Sequence, residues 1–230
     1  VTDLPGIAIQ DYHRHKNASK LWVFDRFGPK VEMPVSIYFR EESDFPLLEK
    51  IALRHCEGSV LDIGAGAGAH SLYLQEKGLD VTSLEISAAS VSVMRDRGIQ
   101  NVVCGDFFEI DLPQYDTLLL LMNGIGLCGT MDKVAVFLNK AKTLLKENGK
   151  IVFDSSDIQY MYEDILLPEH YYGEIAYQYA YKRLKTNWFN WLYIDKNKMM
   201  QVAQENGWEM QVIFEDDNDQ YLAELRCRNK

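Results

Sequence analysis

The chemistry-bearing residues of this chain begin where Val60-Leu61-Asp62-Ile63 runs into Gly64-Ala65-Gly66-Ala67-Gly68-Ala69-His70, and acids follow at Glu85 and Asp106. Glycines at alternate positions permit a tight turn and let a ligand approach the backbone closely, because no Cβ fills the space. This is a nucleotide-type bend, and Gly64, Gly66 and Ala69 also satisfy the looser dinucleotide spelling G-x-G-x-x-G/A. Charge helps to separate the candidate ligands. A carboxylate at the mouth of the loop, Asp62, would oppose a pyrophosphate but could attract an amino group, directly or through water. Glu85, about twenty residues further on, stands where an acid reaches ribose hydroxyls in such folds. Asp106, in Gly105-Asp106-Phe107-Phe108, could accept a hydrogen bond from an adenine amino group, and Phe107 beside it offers a backbone N–H to the ring. Glu85 would serve a dinucleotide as well, but Asp62 and, more so, Asp106 suit an adenosyl compound that carries positive charge and no phosphate.

Other reactive side chains carry less. Asp154 follows a strand and could serve as a base, or could cap a loop. His70 begins the helix after the glycines, where it contacts a ligand or packs. His13 and His15, two residues apart, lie on different faces of a helix, so they make no metal pair. Cys56, Cys104, Cys128 and Cys227 are widely spaced and form no CxxC pair, which suggests neither a zinc site nor a disulfide framework but reduced, mostly buried thiols. No metal is expected. The acidic turn Asp216 to Asp219 lacks the ligand spacing and glycine of a calcium loop and reads as a solvated hairpin tip.

Strands and helices alternate around these residues. Asp44 can cap a helix carrying Leu47, Leu48, Ile51, Ala52 and His55, ended by Gly58. Ser59 to Ile63, Leu79 to Leu84, Asn101 to Cys104, Tyr115 to Met122 and Lys150 to Phe153 read as strands. Ala69 to Lys77, Ala88 to Arg97 and Asp132 to Lys146 read as helices between them, an interval that implies parallel pairing with right-handed crossovers. Asp195 to Asn206 resumes as a helix. Glu209 to Phe214 and Tyr221 to Cys227 make a closing hairpin. Before about Asp44 the pattern is weak, an N-terminal arm of one or two short helices over 1–43 in which Tyr12 and Trp22 could form a lid or dock on the sheet. Tyr160 to Ile194 is rich in tyrosine and tryptophan. Within it, a β-hairpin at about 172–194 is expected as an insertion into a domain spanning 44–230. Its aromatics could wall an acceptor, where a cationic amine would be favoured, but cross-strand packing or a subunit interface, hence a homo-oligomer, is the better-supported reading.

The whole chain bounds these readings. Its 230 residues suit one large α/β domain with an elaboration, and 47% hydrophobic with 25% charged residues is ordinary for a globular protein. A formal charge of −10 repels phosphate backbones. The densest basic stretches, Arg14 to Lys20 and Lys182 to Lys185, are short, so no nucleic-acid partner is expected. No apolar run is long enough to cross a bilayer and no signal core is visible, which reads as a cytoplasmic protein without a membrane partner.

Val60 to Gly68, Glu85, Gly105-Asp106-Phe107 and Tyr115 to Gly126, with Met122-Asn123-Gly124 at its end, fall in the order seen in the class I S-adenosylmethionine-dependent methyltransferases, which this chain resembles from roughly Leu47 to Lys230. The resemblance implies a doubly wound, mostly parallel, seven-stranded Rossmann-like α/β sheet with a C-terminal antiparallel hairpin. It also implies S-adenosylmethionine as methyl donor and S-adenosylhomocysteine as product. Asp62, Gly64, Ala65 and Gly66 would line the methionine half with His70 near them. Glu85 and Ile86 would meet the ribose and adenine, Asp106 and Phe107 the adenine edge, and Met122 and Asn123 the transferable methyl. Asn123-Gly124-Ile125-Gly126 departs from the Asn/Asp-Pro-Pro-aromatic signature of the amino-methylating nucleic-acid and protein enzymes, which leaves a small-molecule acceptor as the expectation. An NAD(P)-dependent oxidoreductase and a non-catalytic S-adenosylmethionine-binding module are the alternatives.

Overall fold

The computed structural model describes residues 3–16, 19–163 and 166–228. The parts of the expected arm and of the basic stretch Arg14 to Lys20 that fall on residues 1, 2, 17 and 18 lie outside them. Helix α1 (Leu4–His15) forms where Asp3 caps it, accepting from Gly6 N at 2.9 Å, with a proline in the first turn. β1 (Leu21–Phe24) and β2 (Val31–Met33) come next, so the arm is more than short helices. Leu21 to Phe24 becomes a strand because both edges find antiparallel partners, Met33 to Val31 on one side and Tyr181 to Gln178 on the other.

Asp44 does not cap the helix after it. It closes a tight turn at Glu42–Asp44 and its carboxylate accepts from Glu41 N at 3.3 Å. Pro46 stands instead at the head of α2 (Leu47–Arg54), without a side-chain cap. Proline has no N–H to satisfy and a fixed φ, so it suits that position.

The alternation then follows as expected: β3 (Ser59–Ile63), α3 (Ala69–Glu76), β4 (Asp80–Glu85), α4 (Ala88–Asp96), β5 (Asn101–Cys104), β6 (Tyr115–Leu120), α5 (Met131–Leu144) and β7 (Leu145–Ser156). β8 (Glu174–Tyr181), β9 (Leu184–Lys185) and β10 (Phe189–Leu192) occupy the aromatic stretch. α6 (Lys196–Glu205), β11 (Trp208–Glu215) and β12 (Gln220–Cys227) close the chain. One sheet has the order β11-β12-β7-β6-β3-β4-β5, with β4 parallel to β5, β6 parallel to β7, and β12 antiparallel to both its neighbours. A second sheet runs β10-β8-β1-β2, with β9 on β8. The aromatic stretch is therefore shared with the N-terminal strands.

The chain forms two compact units, each built from three separated segments. The first comprises Val1–Phe45, Asp62–Ile110 and Ala176–Phe189. Leu4, Ile9, Leu21, Val35, Ala67 and Tyr181 are part of one buried cluster in it, with Tyr12 and Tyr179 packed against them. Each fully buried large apolar side chain contributes about 1.5–3 kcal/mol. Tyr181 OH also donates to Asp11 Oδ2 at 2.9 Å, so the tyrosines of β8 serve packing here. Trp22 points away from that cluster by strand alternation and carries the ammonium of Lys30 4.2 Å from its ring centre.

The second unit comprises Pro46–Leu61, Asp111–Ile175 and Asn190–Lys230. β6 is buried along nearly its whole length, as an interior parallel strand must be, and Phe137, Leu138, Phe153 and Trp208 are fully buried. At the hairpin tip Asp216 Oδ1 accepts from Asn218 N and Gln220 N, and Asp217 to Asp219 are exposed. Cys56 and Cys128 are buried thiols, whereas Cys104 and Cys227 are exposed, against expectation. Among the described residues no helix is long and apolar enough to cross a membrane.

Candidate functional site

In the first unit the glycine bend hangs on the end of β4. Gly64 N and Ala65 N both donate to the Leu84 carbonyl, at 2.9 and 3.2 Å. Glu85, the next residue, turns its side chain back onto the bend: Oε2 accepts from Gly66 N at 2.9 Å and Oε1 from Ser87 N at 3.0 Å. Gly66 and Gly68 adopt φ of +59° and +78°, a region costly for any residue with a Cβ. Burial pushes the Glu85 carboxyl above the usual range, opposed by the amide donors of Ser87 and Gly66.

Asp62 does not stand at the mouth of the loop. It is 3% exposed, and Ser71 Oγ donates to its Oδ2 at 2.6 Å, Ser83 Oγ donating in turn to Ser71 Oγ at 2.7 Å. Strand alternation turns this side chain inward, toward the first turns of α3, where Ser71 meets it. Burial raises its pKa, with His70, then Ser71, pulling the other way. His70 is buried with its ring 5.1 Å from that of Phe45.

The rise in the Asp62 pKa carries a prediction. The folded state binds this proton more tightly than the unfolded chain does, so stability falls as pH rises from below the ordinary 3.8 through the folded value. Asp62→Asn keeps an acceptor for Ser71 and removes the buried charge. Its melting temperature at pH 7 should equal or exceed that of the wild type by about 2–4 °C, roughly 1 kcal/mol for a chain of this size. It should also decline less between pH 4 and pH 7; a melting scan across that range that runs parallel to the wild type would contradict this.

The second acidic position hangs from the same strand end. Gly105 N donates to the Glu85 carbonyl at 3.1 Å, and after it Asp106 makes its own turn, Oδ1 accepting from Phe108 N at 2.9 Å. Phe107 is buried, its ring set edge-on to Phe108, while Ile86 is 69% exposed. The end of β4 thus holds the bend through the Leu84 carbonyl and the Glu85 side chain, and the turn at Asp106 through Gly105 and the Glu85 carbonyl, whereas Asp62 and His70 lie in buried surroundings of their own. Arg97 donates to the Ala67 carbonyl and lies against the Phe39 ring, so its guanidinium is committed there.

Met122 and Asn123 belong to the second unit, just past β6. Both adopt left-handed φ, +60° and +56°, which is uncommon for one non-glycine residue and more so for two in a row. The bend is held by the end of β7: Asn123 N donates to both carboxylate oxygens of Asp154, at 2.9 and 3.1 Å. Ser155 Oγ donates to Asn123 Oδ1, Asn123 Nδ2 donates to the Leu192 carbonyl, and Ile194 N donates to Ser155 Oγ. Asp154, considered from sequence as a base, thereby becomes a backbone anchor. Ser155, Ser71 and Tyr38, whose ring lies against Gly66, carry no signal in the sequence, because tertiary contacts alone recruit them.

A family model described as a methyltransferase domain matches residues 61–153. The 23S rRNA (uracil(747)-C(5))-methyltransferase of Pyrococcus horikoshii is 35% identical over 92 residues, 37% of this chain and 22% of that protein. The chain therefore spans about a fifth of the length of the curated relatives it matches. Over its whole length it is similar to a SAM-dependent methyltransferase from Bacteroides fragilis, solved in complex with S-adenosyl-L-homocysteine: 38% identity, 99% of this chain, 95% of that one, TM-score 0.93. The CcbJ methyltransferase from Streptomyces caelestis shares the fold at 14% identity, with TM-score 0.64 over 80% of this chain and 97% of its own.

Proposed function

This chain belongs to the class I S-adenosylmethionine-dependent methyltransferases, and from that premise we propose that its first unit holds the methyl donor at the glycine bend and that it methylates a small molecule. The observation that carries the donor site is the Glu85 carboxylate bridging Gly66 N and Ser87 N at the end of β4. An acid so placed suits ribose hydroxyls. Gly64, Ala65 and Gly66 offer backbone to the methionine half, and Asp62 and His70 support it from behind. Exposed Ile86 offers apolar surface to the adenine. Asp106 has its Oδ1 in the turn to Phe108, which leaves Oδ2 for the adenine amino group, and Phe107 offers its amide to the ring. Met122 and Asn123 take the place beside the transferable methyl that the family resemblance gives them.

The sulfonium of the bound donor makes the methyl carbon electrophilic, so that an acceptor lone pair can displace the thioether in line. What this chain supplies is alignment, which can lower such a barrier by roughly 7–11 kcal/mol. The Met122-Asn123 bend is tied to the end of β7 through Asp154 and Ser155, which supports that reading. Asp154 accepts from Asn123 N through both oxygens, which gives it an anchoring role.

The small-molecule reading rests on the net charge of −10 and on Gly124-Ile125-Gly126 after Asn123. RNA is the second reading, favoured by the identity to the rRNA methyltransferase of Pyrococcus horikoshii over 92 residues. Calorimetric titration should give equimolar binding of S-adenosylhomocysteine and none of NAD; the reverse would overturn the donor assignment. Labelled donor incubated with a metabolite pool and, separately, with total RNA should then label a small product. Label found only in RNA would replace the acceptor class, and binding without turnover on either would leave a donor-binding module.

A further inference from the structure

Resting on the donor site proposed above, we infer that Tyr38 is a donor-specificity residue that recognises the methionyl half. Tyr38 lies in the tight turn Val35–Phe39, in a segment remote in sequence from the glycine bend but part of the same unit. Its ring lies directly against the backbone of Gly66: a Cβ built on that glycine would stand 2.9 Å from Tyr38 Cδ1 and 3.4 Å from Cε1. The bend is therefore shaped by an aromatic wall as well as by φ, and no side chain at 66 could coexist with the ring where it is.

Three features hold the ring in place. Its hydroxyl donates to Met33 Sδ at 3.2 Å, the turn is anchored by buried Val35, and Gly66 on the other side is fixed through its N–H to Glu85. The phenol stays protonated, since burial above all, with Tyr179 and the Glu85 carboxylate, pushes its pKa upward. The hydroxyl is thus occupied by Met33, and what Tyr38 has to offer at the bend is its π-system.

A neutral aromatic ring at the glycine bend suits the end of the donor that carries charge. The ammonium and the sulfonium both lie on the methionyl arm, and a ring beside them supplies attraction through its quadrupole while excluding water. Glu85 and Asp106, by contrast, are matched to the hydroxyls and amino group of the adenosine half. The donor site then divides, with Tyr38 reading the amino-acid arm and the acids reading the nucleoside.

Two probes separate these halves: S-adenosylhomocysteine, which has both, and methylthioadenosine, which keeps the adenosine and lacks the amino-acid arm. By calorimetry on the full chain, Tyr38→Ala should weaken S-adenosylhomocysteine about 10-fold while changing methylthioadenosine by less than about 2-fold, and Tyr38→Phe should retain both. Loss of a ring that only props up the loop would weaken S-adenosylmethionine, which carries the sulfonium, and S-adenosylhomocysteine, which has the same arm without it, by the same factor, whereas loss of a ring that reads charge should weaken S-adenosylmethionine the more. Equal losses, or no loss for S-adenosylhomocysteine, would overturn the inference. If Tyr38→Ala does not fold, Tyr38→Leu carries the same comparison with the bulk kept. Failure of the wild type to bind either probe would instead remove the donor site itself, and with it this inference, so the two failures are distinguishable.

Discussion

Titrated with S-adenosylhomocysteine, a Glu85→Ala variant should bind at least about 100-fold more weakly than the wild type. Hydrogen bonds to a charged group contribute about 1.5–3 kcal/mol each, and 1.4 kcal/mol is a factor of ten. Alanine removes the acceptor for Gly66 N and Ser87 N together with the partner proposed for the ribose. The bend would lose its shape and the ligand its anchor at once. Glu85→Gln keeps one acceptor oxygen and should show a smaller loss, about 10-fold. Alanine also leaves the Gly66 and Ser87 N–H groups without their acceptor, so some loss of melting temperature is expected, and Glu85→Gln, which keeps an acceptor, separates the ligand effect from the folding one. Affinity unchanged by alanine would show that the acid at the end of β4 plays no part in donor binding.

A large loss of stability is expected from a side chain at Gly68. With φ at +78° this residue leads into α3, and a Cβ there would stand 2.0 Å from Ile99 Cδ1 and 3.1 Å from Met94 Cγ. Ile99 and Met94 are buried in one cluster with Val91, so neither can swing into solvent. The left-handed conformation costs a Cβ-bearing residue about 1–2 kcal/mol, and forcing a methyl into a packed cluster typically about 1–3 kcal/mol. Gly68→Ala should therefore lower stability by about 2–4 kcal/mol, or the melting temperature by roughly 5–15 °C. Thermal unfolding checks this directly, and a shift below about 2 °C would mean that Ile99 can move aside at little cost.

What the sequence revealed, and what it hid, follows from the range of the interactions concerned. β3 to β7 and the helices between them were legible because each carries its own period and most helices end at a glycine, as α3 does at Gly78 and α4 at Gly98. β1 was not, since Leu21 to Phe24 is a four-residue apolar run whose partners at Gln178 to Tyr181 lie far along the chain. The helix expected to start at Asp44 starts after Pro46 because the carboxylate is engaged with Glu41. At the candidate site the glycines and Glu85 could be read from spacing alone. Asp62 could be identified but not oriented: the order of residues along a strand does not say which side carries the serine that will meet it. Tyr38, Ser71 and Ser155 could not be found at all, because nothing in their own neighbourhoods marks them before folding brings their partners within reach.

Each of the two units draws on stretches of polypeptide that are synthesised far apart, and this has a consequence for biogenesis. Strand β1, made early, must wait for β8 near residue 180 before its second edge is satisfied. Neither unit can mature on the ribosome in simple vectorial order, and neither can be excised as one continuous fragment. Contacts of such long sequence separation slow folding and leave an unpaired edge exposed to other nascent chains in the meantime. Fragments that stop short of β8 are therefore expected to fold poorly, with β1 left open on that edge.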